Sequence, residues 1–112
     1  MRRLVCVGAI LVGLAGCASQ ADHLRVLERR EQNLASEIAD LDAELAEASR
    51  AMASSYGSLA LVEDVAVRAA RRAELDETRL RFEEVAPKVE ALIASKQAEL
   101  VRTRARIADL VD

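Results

Sequence analysis

The sequence predicts an all-α protein, with long amphipathic helices forming a helical hairpin or a three-helix coiled-coil-like bundle. Three observations predict it. Apolar residues recur with heptad spacing from Leu24 to Met52. Beyond residue 16 the chain holds one glycine, Gly57, one proline, Pro87, and only two aromatics, Tyr56 and Phe82. Ala, Leu, Glu and Arg dominate the remainder, which is the composition of long helices and coiled coils. With 112 residues, one small domain is the ceiling. Much of the apolar content is alanine, which favours helix but buries little area. Helix pairing or self-association must therefore supply much of the burial.

The first element precedes the helices. Arg2 and Arg3 are followed by an apolar run, Leu4 to Ala15, interrupted only by small glycines. A basic start, an apolar stretch and small residues at its end is the layout of an export signal. The run is too short for a hydrocarbon core, which needs roughly 20 apolar residues. Leu14-Ala15-Gly16-Cys17 resembles the lipobox of bacterial lipoproteins. The resemblance implies that Leu14, Ala15 and Gly16 are read by the lipoprotein signal peptidase and that the chain is cut before Cys17. Cys17 would then receive a thioether-linked diacylglycerol, and its new amine an acyl chain. Each buried methylene adds about 0.8 kcal/mol, so two or three chains on one cysteine make a durable membrane anchor. Ala18-Ser19-Gln20 lacks the aspartate that, in lipoproteins, resembles an inner-membrane retention signal. The periplasmic face of an outer membrane is the expected address. The expected division is a signal peptide over 1–16, a lipid-anchored linker over 17–21 and a helical domain over 22–112. Cys6 leaves with the signal and Cys17 is consumed by lipid, so no intramolecular disulfide is expected.

The first helix is expected over roughly 22–54, capped by Asp22 or Ser19. Its seam reads Leu24, Leu27, Glu31, Leu34, Ile38, Leu41, Leu45, Ala48 and Met52, with Glu31 its one interruption. Ser54-Ser55-Tyr56-Gly57-Ser58 is the expected break, since glycine accepts the positive φ of a helix C-cap. Leu59 and Val62 stay in the first frame, so a helix running straight through Gly57, at about 1 kcal/mol for the glycine, is the alternative. A second helix is expected from about 59 to Glu84, with a seam of Leu61, Val65, Arg68, Arg72, Leu75, Arg79, Phe82 and Ala86. Ala66, Ala69, Ala70 and Ala73 form a competing small-residue face. A second break falls at 86–87, where Pro87 kinks the helix or starts a new one. The third stretch continues with Val89, Leu92, Ile93, Leu100, Ile107 and Leu110, while Lys96 and Thr103 break its seam.

Charges are segregated. Glu37 to Glu47 is acidic, and Arg68, Arg71, Arg72 and Arg102, Arg104, Arg106 are basic. Reversal about Gly57 would set Asp42, Glu44 and Glu47 among the first arginines, and Arg29 and Arg30 near Glu83 and Glu84. A second reversal at Pro87 would bring Arg102, Arg104 and Arg106 level with Asp42 to Glu47. Such exposed pairs contribute only about 0–1 kcal/mol each, so they choose between topologies more than they stabilise one.

The residues carry no catalytic constellation, and an enzyme is not expected. His23 is the single histidine, with no second histidine or free cysteine to complete a zinc site. One glycine past the signal cannot build a phosphate loop. Carboxylate neighbours such as Glu83 and Glu84 sit on an open helix face, without a pocket to shift them. No cofactor, small-molecule substrate or nucleic acid is expected. The arginine cluster lacks aromatic stacking partners, and the chain has a net charge of −3. Tyr56, Arg102, Arg104 and Arg106 are the candidate partner contacts, either with a homo-oligomer or with another envelope protein. In general style the chain is similar to small helical outer-membrane lipoproteins such as murein lipoprotein. It departs from that family at Leu110-Val111-Asp112, where the family carries a wall-linked lysine, and in having Gly57 and Pro87. The expected function is that of a non-enzymatic, lipid-anchored structural or scaffolding element. The alternative is an accessory module that regulates or assembles an outer-membrane or cell-wall machine.

Overall fold

The computed structural model describes the backbone of residues 10–112 and the side chains of residues 19–112. The protein is all-α. Helix α1 runs Ile10–Leu59 and helix α2 runs Val65–Val111, with no strand among the described residues. Ser19 to Ala21, expected as linker, are already helical, and so is Asp22, which pairs loosely with Arg25 at 4.0 Å. Leu14, Ala15, Gly16 and Cys17 lie outside the described side chains.

The heptad seam of α1 faces its partner as its spacing requires. Every position from Leu24 to Met52 in that frame is buried or half-buried, Glu31 included. Contacts divide the chain into two units. Unit 1 comprises α1 up to Ile38 and α2 from Ser95 onward, and unit 2 comprises Ala39–Ala94.

In unit 1 the two helix segments pack through Leu27, Leu34 and Leu100. Thr103, which reads as a break in the apolar pattern, is buried at 5% exposure. Its hydroxyl donates to the Glu99 carbonyl at 2.9 Å, which satisfies a polar group that would otherwise cost about 1–3 kcal/mol to bury.

In unit 2 the helices form a hairpin. Its turn lies at 60–64, not at 55–58. Gly57 is helical, without positive φ, so it is not a C-cap. The frame decides this. Continuing the helix buries Leu59 and half-buries Tyr56, and that burial outweighs the roughly 1 kcal/mol cost of a helical glycine. Two tight bonds end α1, Leu61 N–H to the Ser58 carbonyl and Val62 N–H to the Leu59 carbonyl, both 3.1 Å. Asp64 starts α2 as its N-cap, with its carboxylate accepting the Val67 N–H at 3.0 Å. Arg68 closes the loop by donating Nε to the Val62 carbonyl at 2.8 Å.

Helix α2 passes through Pro87. The chain does not reverse there, and the three-helix arrangement is overturned. A proline inside a helix costs about 3 kcal/mol or more through its missing donor and its clash with the preceding turn. Here the seam outweighs that cost. Phe82, Ala86, Val89 and Ile93 keep one frame on both sides of Pro87, which itself is exposed. Moving the turn and removing the second reversal also changes the charge register. Arg30 meets Glu99, not Glu83 or Glu84. Asp42, Glu44 and Glu47 make no ion pair with Arg68, Arg71 or Arg72, nor with Arg102, Arg104 or Arg106.

Candidate functional site

Tyr56 sits on the last turns of α1 and is half-buried. Its hydroxyl donates to Asp76 Oδ1 at 2.6 Å, across to α2. The Arg79 guanidinium stacks over the ring, 5.8 Å from its centre, a geometry that favours the cation through the ring quadrupole. The bond to Asp76 pushes the phenol above its ordinary value, because ionisation would remove the proton it donates, and desolvation adds to the rise. Tyr56 therefore ties the two helices of unit 2 together. Asp76 and Arg79 escape a reading of the sequence because their pairing depends on where the turn falls.

The three C-terminal arginines divide. Arg104 donates Nε to Glu31 Oε2 at 2.9 Å. Glu31, an interruption in the α1 seam, thus has a cross-helix partner. Arg102 and Arg106 carry no ion pair and line a groove of about 140 Å³ with Leu27, Arg30, Glu99 and Thr103. His23 lies beside Arg106 and Asp109 at the continuation of that side.

Lys96, the other break in the α2 pattern, donates Nζ to Glu37 Oε2 at 2.7 Å. The Lys96 ammonium holds the Glu37 carboxyl below the ordinary value, first through this hydrogen bond and then through its charge. With Arg30–Glu99, these pairs form a cross-helix ladder in unit 1. Each is exposed enough that water screens it, so the ladder selects register more than it adds stability.

Near the turn, Ser54, Ser55 and Ser58 face Arg71, Glu74 and Thr78 across an open groove of about 420 Å³. Ser58 Oγ donates to the Ser54 carbonyl at 3.0 Å, as helical serines do, and no histidine belongs to unit 2 to activate a hydroxyl. Among the described residues, no group of three or more His, Cys, Asp or Glu converges to hold a metal ion, and no helix is long and apolar enough to cross a membrane. Compared with protein-family models, curated proteins and solved structures, the chain matches none.

Proposed function

We propose that this protein is a lipid-anchored helical scaffold of a bacterial envelope, held through acylated Cys17 at the periplasmic face of an outer membrane and acting through helix–helix contacts. The observation that carries the reading is Leu14-Ala15-Gly16-Cys17 at the end of a basic and then apolar leader. The long paired helices agree with a scaffolding role, since their surface is open and their grooves are shallow and unspecialised. Labelling cells with a clickable fatty acid tests it. Wild type should take the label and fractionate with the outer membrane, and Cys17→Ser should not. An unlabelled wild type would sink the anchor and the address together.

The accessory-module reading is favoured by one feature. The turn of unit 2 exposes Leu61 at 82% and Val65 at 75%, next to arginines that have no carboxylate partner. In-cell cross-linking from a photoreactive residue at Leu61 distinguishes the readings. A discrete larger product supports the accessory role, and its absence leaves the scaffold alone.

A further inference from the structure

We propose that one face of unit 2 is a self-association surface and that its partner is a second copy of this chain, running in the same direction about a twofold axis parallel to the helices. The inference extends the helix-contact part of the scaffold reading and does not depend on the lipid. The groove at the turn shows which side of the hairpin is meant. Ser54 and Ser58 line it from α1, Glu74 and Thr78 from α2. In paired helices a step of seven residues returns to the same face. From Ser54 the steps reach Glu47 and Asp40, and from Ser58 they reach Ala51 and Glu44. From Glu74 they reach Arg81 and Lys88, and from Thr78 they reach Val85 and Leu92.

The face thus carries an acidic row on α1 and, beside it, a basic and apolar row on α2, with all of these residues exposed. Asp40, Glu44, Glu47 and Lys88 make no ion pair, and Arg81 makes only a local one with Glu77 at 2.6 Å. Val85 and Leu92 are 52% and 46% exposed between the charges.

Such a face is complementary to itself under one symmetry only. A twofold axis parallel to the helices lays α1 of one copy on α2 of the other, acid against base. An axis across the helices would lay α1 on α1 and stack the acidic rows. The Tyr56–Asp76 bond sets residue 44 level with residue 88. In the parallel pair Glu44 therefore meets Lys88 across the axis, and Glu47 falls between Lys88 and Arg81. Val85 and Leu92 lose water in the same contact, which supplies the apolar part of the interface. Each helix then has antiparallel neighbours on two sides, as in up-down helical bundles.

The test uses the full chain purified from whole cells in mild detergent, with mass read by sedimentation and native mass spectrometry. Wild type should be a dimer that weakens as salt rises. Asp40→Lys/Glu44→Lys/Glu47→Lys and Arg81→Glu/Lys88→Glu should each self-associate at least about tenfold more weakly, because like charges then face each other. An equimolar mixture of the two should restore a dimer containing one of each. Circular dichroism checks that both remain helical. Should either unfold, the neutral set Asp40→Asn/Glu44→Gln/Glu47→Gln takes its place, and its dimer should lose most of its salt dependence. A monomeric wild type, reversed variants that dimerise as well as wild type, or a mixture that stays monomeric would each overturn the proposal. Fatty-acid labelling reports on the anchor separately, so a lost anchor and a lost dimer are distinguishable.

Discussion

The two units solve the same packing problem differently. Unit 1 places polar residues in or beside its seam and gives each a partner, with Glu31 meeting Arg104, Lys96 meeting Glu37, and Thr103 bonding the turn behind it. Unit 2 has a more apolar seam, tied at one end by Tyr56 and Asp76, but its outward charge rows form no ion pair between the helices, and Leu61 and Val65 stand in water. Hydrophobic burial is non-directional, so a thin apolar seam says little about register. Cross-helix ion pairs in unit 1 and a hydrogen-bonded tyrosine in unit 2 supply the directional information. The difference teaches that the polar interruptions of a heptad pattern can be its most specific positions.

The largest expected effect strikes the apolar part of unit 1. Leu34 is 2% exposed, and Leu34→Ala should lower stability by about 2–5 kcal/mol in chemical denaturation. A loss below 1 kcal/mol would mean that the ion ladder, and not the seam, holds unit 1 together. In unit 2 the opposite sign is expected at Pro87. It is exposed and helical, so Pro87→Ala should raise stability by about 3 kcal/mol, provided the seam and not the proline sets the path of α2.

Smaller effects probe the turn. Asp64→Ala should cost about 1 kcal/mol by removing the N-cap of α2. Gly57→Ala should stabilise by up to about 1 kcal/mol, since a Cβ there would meet open space in a helical backbone. A glycine serving as C-cap would give the reverse sign, so thermal melting of this one variant checks the position of the turn. The smallest effect belongs to the ladder. Lys96 holds the folded Glu37 carboxyl below the ordinary 4.5, so the contribution of this pair is present above that pH. It is lost as the pH falls through the lower folded value. Lys96→Met should return the Glu37 titration, followed by NMR, toward the ordinary value.

The α1 seam was legible position by position, because long side chains at heptad spacing leave a helix one face to bury. The α2 seam begins only at Leu75 and continues through Phe82, Ala86, Val89, Ile93 and Leu100 in one frame, whereas Leu61, Val65, Arg68, Arg72 and Arg79, which the spacing also placed in it, are exposed. It was obscured because Gly57 and Pro87 read as local stops, while a frame that agrees on both sides of a stop outweighs it. The candidate contacts fared unevenly for the same reason. Charge segregation set Arg102, Arg104 and Arg106 against Asp42 to Glu47, but of the three only Arg104 is paired, with Glu31, because the partner depends on the register and the register on the turn. Tyr56 was read as part of the break, but it lies in the last turns of α1, and its bond to Asp76 depends on the five residues, 60–64, by which the chain reverses.

Those five residues have a further effect. Beyond them the start of α2 is left without a buried face, and residues 63–74 are all exposed. The helical part of this stretch, residues 65–74, is shorter than the roughly 12–15 residues an isolated helix needs for appreciable stability in water. Its amides should exchange with solvent at rates set by local fraying, well ahead of those beneath Phe82 or Ile93. Trypsin should find Arg71 and Arg72 first for the same reason, making the beginning of α2 the place where this protein is most easily opened.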